Sequence, residues 1–196
     1  MRVGCYPGSF NPPTSAHLAV ASAALAACGL DRVDLVVSRV ALAKETVSRP
    51  LLEDRLSVLQ SVVASRPWLG LVVTDLQLLV DVSGGYDVLV LGADKWEHVL
   101  DLRFYAGSSS RRDAAVAALP PLAIAPRSGL EPAASWPAGA TVLPLGEDHA
   151  DVSSSAVRAG RRPDWMLEEA AAFDRSTGAW TDPVRYDAWV ADGRPG

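Results

Sequence analysis

Cysteine is scarce in this sequence, where Cys5 and Cys28 are the two cysteines among 196 residues. They fall in a predicted strand and a predicted helix, which is typical of reduced core residues and argues against a disulfide framework or a zinc site. Long apolar runs are missing too, because the most apolar stretch, LAVASAALAACGL, is shorter than the ~18 residues that a membrane span needs. The first residues lack the layout of a signal peptide, so we expect a cytoplasmic protein with no membrane partner.

An excess of positive charge is also absent. Lysine and arginine together number 18 against 23 aspartates and glutamates, which gives a formal net charge of −5. A general nucleic-acid binder is usually basic, so this balance argues against nucleic acid as a partner. A single basic cleft remains compatible with it, because net charge says little about one local site.

The chain does contain a regular alternation of short apolar runs and helical patterns. Apolar residues recur at helical spacing in LLEDRLSVLQSVVAS, whereas LVV and VLVLG have the continuous apolar character of strands buried on both faces. Repeated strand-then-helix order predicts an α/β domain, a Rossmann-like doubly wound parallel sheet with helices on both faces. Such sheets bind ligands beyond the carboxyl ends of their strands, at a topological switch point.

The pattern also predicts the elements and the domain limits. Strands are expected at residues 2–6, 32–40, 69–75, 86–94, 120–126 and 140–145, and helices at 15–28, 51–65, 95–105, 153–160 and 164–173. The polar stretch 108–113 is expected to be a mobile loop, and 125–139 a long connection. We expect one domain over residues 1–172 and a C-terminal tail, 173–196, whose aromatic residues pack on the domain or on a partner.

The stretch GSFNPPTSAH, residues 8–17, lies between the first predicted strand and the first predicted helix. Gly8 lets the backbone approach a ligand closely, and Thr14 or Ser15 can cap the helix so that its first N–H groups face an anion. His17 falls in the first turn, within reach of that anion. The stretch therefore predicts a phosphate cradle, with a capped helix and a partly buried histidine as the alternative interpretation.

Two motifs give the chain a family resemblance. YPGSFNPPTSAHL resembles the T/H-x-G-H signature of the nucleotidylyltransferase superfamily, and VSSSAVR, residues 152–158, resembles its I-S-S-T-x-I-R motif. Their order and separation fit the family, and the two together are more specific than either alone. The resemblance covers about residues 1 to 160. It implies that the first strand, loop and helix bind the phosphates of ATP.

The resemblance also implies the chemistry and the residues that perform it. An acceptor phosphate attacks the α-phosphorus of ATP and pyrophosphate leaves, with Mg²⁺ carried by ATP rather than by a metal site of the protein. The partners are then ATP and a small phosphorylated acceptor. The residues expected to be catalytic are His17, Thr14, Lys44 and Arg158. Those expected to bind nucleotide or substrate are Gly8, Ser9, Phe10, Asn11, Gly92, Asp94, Trp96, Ser153, Ser154 and Ser155.

Further likenesses bear on the acceptor. GSFNPPT and VLGADKW, residues 90–96, resemble the pyridine-nucleotide adenylyltransferases, which favours nicotinate or nicotinamide mononucleotide. YPGSF and SSS equally resemble the phosphopantetheine enzyme. Ala16 stands where the signature has glycine, and residues 74–94 lack the Tyr-Thr motif of bacterial nicotinate-mononucleotide enzymes. Phosphopantetheine or another phosphorylated metabolite, with CTP as a further donor, and a member that binds nucleotide without turnover stay open as alternatives.

The remaining candidates have two interpretations each. Trp96 can stack on a base or belong to the core. Arg55 can bind phosphate or pair on the helix surface with a neighbouring carboxylate, which we favour. His98 is expected on a helix surface, and His149 either faces the cleft or lies in a solvated acidic loop, which we favour. The resemblance also allows a homo-oligomer, because members of the family are often oligomeric.

Overall fold

The computed structural model describes residues 1–40, 49–127 and 136–194 of the chain. Within these ranges the strands are β1 Val3–Pro7, β2 Arg32–Ser38, β3 Leu69–Thr74, β4 Val88–Gly92, β5 Leu122–Ala125 and β6 Thr141–Val142. The α-helices are α1 Ser15–Ala27, α2 Leu52–Ala64, α3 Leu79–Val82, α4 Ala93–Leu100, α5 Ser109–Ala117, α6 Glu147–Ala150, α7 Ser154–Arg158, α8 Glu168–Thr177 and α9 Pro183–Ala191. Two 3₁₀ turns lie at Leu102–Tyr105 and Pro163–Trp165.

All strand pairs of the sheet are parallel, and the strand order is β3-β2-β1-β4-β5-β6. The chain first builds outward from β1 to β3 and then returns to add β4 on the other side of β1. The order therefore reverses between β1 and β4, which is the switch point of a doubly wound sheet. The predicted Rossmann-like α/β fold is confirmed.

Alternate residues of strands β1 to β5 enter two different apolar cores, because successive side chains of a strand point to opposite faces. On one face, Tyr6, Leu35 and Val90 pack with residues of α1 and α2. On the other face, Cys5 and Leu91 pack with residues of α3 and α4. Full burial of an aliphatic side chain contributes about 2 kcal/mol, so the two cores together hold the sheet between its helices.

The segment at 108–113 differs from the prediction. It was expected to be a mobile loop, but it begins α5, whose N-cap Ser108 accepts a hydrogen bond from the backbone N–H of Arg111 at 3.3 Å. A serine N-cap satisfies one of the unpaired N–H groups at a helix start, and the arginines and alanines that follow are good helix formers. The polar composition reflects an exposed helix, not an irregular loop.

Residues 166–191, the C-terminal segment, contain helices α8 and α9 and pack on the domain. Ala170 of α8 and Tyr186 of α9 form a third buried apolar cluster with Trp180 and with Val58 of α2. Helix α8 runs continuously through the boundary that the sequence suggested between residues 172 and 173. None of the helices in the described parts of the chain combines the length and apolarity required to cross a membrane.

Candidate functional site

A cleft lies at the carboxyl ends of β1, β4 and β5, where the first turn of α1 and the start of α7 meet. Its empty volume, including the open mouth, is about 410 Å³. The side chains with polar groups and the glycine that line it are Tyr6, Thr14, His17, Gly92, Arg127, His149 and Ser154. The two motifs that are far apart in sequence therefore face one another across a single cleft, at the position where doubly wound sheets bind ligands.

His17 is held by the residue that caps its own helix. Its Nδ1 accepts a hydrogen bond from the backbone N–H of Thr14 at 3.0 Å and lies 2.9 Å from Thr14 Oγ1. Thr14 is the N-cap of α1 and His17 its third helical residue, so the imidazole occupies the place of the acidic or amide residue in a capping box. The ring also packs edge-on against Phe10, at 5.1 Å between centroids.

These contacts determine the protonation of the imidazole. Because Nδ1 accepts from a backbone N–H, the proton of the neutral ring sits on Nε2. Burial first, and then the positive charge of Arg127, lower the pKa of His17 from 6.5 to about 4, while Asp94 opposes the shift. At neutral pH His17 is therefore an uncharged donor, with Nε2–H as the ring nitrogen available to a ligand.

The second motif forms hydrogen bonds to the loop between β1 and α1, residues 8–14, which we call the opening loop. Ser154 Oγ donates to the carbonyl of Pro12 at 2.8 Å, and the Arg158 guanidinium donates to the carbonyl of Asn11. Ser153 caps α7 by accepting from a backbone N–H at 3.1 Å, and Ser155 Oγ accepts from Arg158 at 3.3 Å. In this structure Arg158, which is expected to be catalytic, donates to the loop backbone.

The loop between β1 and α1 is packed tightly around Phe10. Phe10 is 1% exposed and adopts a positive φ of 44°, so its ring folds back beneath the loop. A Cβ on Gly8 would lie 3.0 Å from that ring, which explains the glycine. The N–H of Gly8 donates to Val36 O at 3.0 Å and is used by the sheet, contrary to its expected contact with phosphate. Ser9 is exposed.

Arg55 differs from the favoured interpretation of a surface residue. It is 7% exposed, and its Nη1 donates to the carbonyl of Ser9 at 3.1 Å. The neighbouring carboxylates that were expected to pair with it have other partners. Asp54 accepts from Tyr186, and Glu53 pairs with Arg194. Arg55 thus connects α2 to the opening loop through this hydrogen bond.

Two side chains that were expected to bind the ligand, those of Trp96 and Asn11, are buried away from the cleft. Trp96 is 1% exposed and lies in the apolar core on the α4 face of the sheet, so it has no free ring face for a base. The Asn11 side chain is 3% exposed, and its Oδ1 accepts a hydrogen bond from Trp180 Nε1 at 2.7 Å. Lys44 lies outside the described residues.

Gly92 and Asp94 form the rim of the cleft at the end of β4. Gly92 is the N-cap of α4, and a Cβ on it would lie 2.5 Å from Asp94 Oδ1, so the glycine makes room for this carboxylate. Asp94 is half-exposed and pairs with Arg127 at 3.6 Å. The rim therefore carries one carboxylate and one guanidinium that a ligand can separate.

Sequence reasoning missed Arg127 and placed His149 in a solvated loop. Arg127 lies two residues after the end of β5, and the rule that ligands bind beyond strand carboxyl ends was the signal that pointed to it. His149 lines the cleft from α6, and its Nδ1 is buried without a hydrogen-bond partner in the described parts of the chain. His98 is exposed on α4, as expected.

Among residues 1–40, 49–127 and 136–194, no group of three histidine, cysteine or acidic side chains is arranged to hold a metal ion.

Fold and cleft define a doubly wound α/β protein with its candidate site at the switch point. The chain belongs to the cytidylyltransferase-like family, whose model matches residues 5–160. This assignment confirms the resemblance to the nucleotidylyltransferase superfamily that the two motifs indicated. A comparison with curated proteins found no match.

Solved structures similar to this chain include Plasmodium falciparum nicotinic acid mononucleotide adenylyltransferase in two complexes. The complex with APC is 15% identical, with a TM-score of 0.60, and the match covers 98% of this chain and 96% of that chain. The complex with NaAD is 14% identical, with a TM-score of 0.61 and the same coverage. At these identities the likeness establishes the shared fold.

Proposed function

We propose that the protein is an enzyme that transfers AMP from ATP to the phosphate of nicotinate or nicotinamide mononucleotide and releases pyrophosphate. The family assignment supports nucleotidyl transfer, and the likeness to the Plasmodium enzyme supports a pyridine mononucleotide as the acceptor. The observation that carries the proposal is the setting of His17. A neutral imidazole is oriented by Thr14 at the switch-point cleft, which leaves Nε2–H for a ligand oxygen.

The proposed reaction needs no covalent intermediate on the protein. An acceptor phosphate oxygen forms a bond to the α-phosphorus of ATP as the bond to the bridging oxygen of pyrophosphate breaks, and that oxygen keeps the electron pair. Catalysis then consists of positioning the two substrates and stabilising charge on the phosphoryl oxygens. His17 Nε2–H would donate to an α-phosphoryl oxygen, and Thr14 would keep the ring in the tautomer that can donate.

The other cleft residues would receive the remaining phosphate charge. Arg127 can exchange its partner Asp94 for a phosphate, because their ion pair at 3.6 Å is half-exposed and weak. Residues of the second motif, Ser153 to Arg158, would contact the leaving pyrophosphate in addition to supporting the loop. Lys44, which the family resemblance makes a candidate catalytic residue, would also contact a phosphate. Mg²⁺ would enter as part of the ATP substrate.

A second candidate keeps the chemistry and changes the substrates. The matching family is described as cytidylyltransferase-like, and between β3 and β4 the described chain has the four-residue helix α3 alone. The family resemblance would place there the Tyr-Thr segment that bacterial nicotinate-mononucleotide enzymes use for the pyridine site. This favours testing CTP as the donor and phosphopantetheine or another phosphorylated metabolite as the acceptor.

The test is pyrophosphate release by the purified protein with Mg²⁺ and either ATP or CTP. The acceptors are nicotinate mononucleotide, nicotinamide mononucleotide and phosphopantetheine, each also run without donor. Turnover with ATP and a pyridine mononucleotide is the expected result. Turnover with CTP, or with phosphopantetheine alone, would replace the first candidate by the second. Tight ATP binding without turnover on any acceptor would contradict both and favour a non-catalytic nucleotide-binding protein.

A further inference from the structure

The opening loop is joined to a C-terminal segment that the family model does not cover. We use "C-terminal segment" for residues 166–191, which follow the last matched residue, 160. Met166 forms an isolated antiparallel bridge with Thr14, and the N–H of Leu167 donates to Pro13 O at 3.1 Å. The start of this segment therefore contacts the residues immediately before His17.

A third contact reaches the loop from the far end of α8. Trp180 Nε1 donates to Asn11 Oδ1 at 2.7 Å across a separation of 169 residues. Trp180 is 3% exposed and Asn11 3% exposed, so neither group can exchange this bond for water. A buried amide oxygen that loses its donor is costly, so the bond fixes the Asn11 side chain.

The indole is itself firmly held. The Asp174 carboxylate accepts from the backbone N–H of Trp180 at 2.6 Å and from that of Thr181 at 3.1 Å. The Trp180 ring packs edge-on against Phe173, at 6.0 Å between centroids. Asp174 is 7% exposed and also accepts from Thr181 Oγ1 at 2.6 Å. The turn after α8 is thus a rigid support, not a loosely attached end.

Helix α9 contacts Arg49, the second hydrogen-bond partner of the Asn11 side chain. Asn11 Nδ2 donates to Arg49 O at 3.5 Å, and the Arg49 guanidinium pairs with Asp187. Tyr186 Oη accepts from the N–H of Leu51 at 2.8 Å. The C-terminal segment therefore fixes both hydrogen-bond partners of the Asn11 side chain: Trp180 belongs to it, and Arg49 is paired with its Asp187.

We propose that Trp180 and Asn11 are a positioning pair that sets the opening loop, and through it His17, for reaction. Asn11 is joined to Thr14 by two prolines, whose restricted backbone transmits the position of one residue to the next. Thr14 in turn supplies the N–H that orients the imidazole. The pair acts through other residues, since neither side chain lines the cleft. Its kinetic consequence rests on the proposed function; its effect on the loop does not.

The test is Trp180→Phe, which removes the indole N–H and keeps an aromatic ring. Its matched control is Trp68→Phe, at a partly buried tryptophan that precedes β3 at the opposite end of the sheet. Two quantities are measured for each variant and the wild type: hydrogen exchange of the Thr14 amide, and kcat and KM for the acceptor that the wild type turns over. A third variant, Asn11→Leu, and the double variant complete a cycle.

Trp180→Phe should speed exchange of the Thr14 amide about tenfold and lower kcat about 10- to 100-fold with little change in KM, because a small displacement of a reacting group has this effect. Trp68→Phe should do neither. The double variant should be no worse than the worse single variant, because both single changes break the same bond. Unchanged Thr14 exchange in Trp180→Phe, or equal losses in Trp68→Phe, would overturn the proposal. If the wild type turns over no acceptor, the exchange measurement still decides it.

Discussion

Lowering the pH from 8 to 5 should destabilise the folded protein through His17. Burial, and then the charge of Arg127, lower the pKa of this imidazole from 6.5 to about 4. The unfolded chain takes up the proton near pH 6.5, whereas the folded protein excludes it until about pH 4. The unfolded state therefore binds more protons in this window, so the contribution of His17 to stability is greatest above pH 6.5 and is lost as the pH falls towards 4.

The magnitude follows from the two pKa values. Linkage gives a loss of about 2 kcal/mol at pH 5 and about 3 kcal/mol at pH 4, relative to pH 8. These are upper values, because His17 lines an open cleft and solvent screens part of the effect. A loss of this size is a large fraction of the stability of an ordinary domain.

The assay is urea unfolding of the wild type and His17→Gln at pH 8 and pH 5. Glutamine at this position can still accept from the helix N-cap, so the capping box is retained. All other titrating groups are common to both proteins, and the difference between their pH-dependent losses isolates His17. The wild type should lose about 1–2 kcal/mol more than the variant. Equal losses would refute the claim that the folded protein keeps this imidazole neutral.

A second variant tests the electrostatic part of the same argument. Arg127 is a nearby positive charge that lowers the pKa of His17. Arg127→Gln should therefore raise that pKa, as followed by NMR titration of the His17 ring protons. An unchanged pKa would show that burial alone controls the proton, and a lower pKa would contradict the effect assigned to Arg127.

The remaining predictions concern the two supports of the site. Tyr186→Phe removes the hydroxyl that donates to buried Asp54 and accepts from the N–H of Leu51, so urea unfolding should show a loss of about 1–3 kcal/mol. No loss would mean that water replaces the hydroxyl. Gly92→Ala brings a Cβ within 2.5 Å of Asp94 Oδ1 and should turn this half-exposed carboxylate. Because Asp94 is expected to bind nucleotide or substrate, kcat/KM should fall while stability changes by less than about 1 kcal/mol. Unchanged kcat/KM would show that Asp94 does not contribute to substrate binding or reaction.

The sheet and the location of the site were predictable because both leave local signals. Continuous apolar runs mark strands buried on both faces, and the opening motif lies at the end of the first of them. The start of α9 also has a local signal, since Asp182 accepts from the N–H of Arg185 at 3.1 Å and Pro183 occupies the first turn. That signal is weaker than periodicity and was not recognised.

The contacts that tie the site together have no local signal. Trp180 and Asn11 are 169 residues apart, and nothing in the sequence of either segment indicates their hydrogen bond. The location of the Trp96 ring also has no local signal, because a tryptophan that follows a strand can lie in a cleft or in the core. Which one applies depends on the face of α4 that packs on the sheet, and that is settled by tertiary packing.

The central claim is tested most directly by pyrophosphate release from a matched pair of variants, His17→Ala and His98→Ala. Both remove an imidazole from a helix; His98 is exposed on α4, outside the cleft. Removing a donor to the transition state typically lowers kcat about 10²- to 10³-fold, so His17→Ala should fall by this factor while remaining folded. His98→Ala should match the wild type. Equal activity of His17→Ala and the wild type would contradict the assignment of His17 to the reaction.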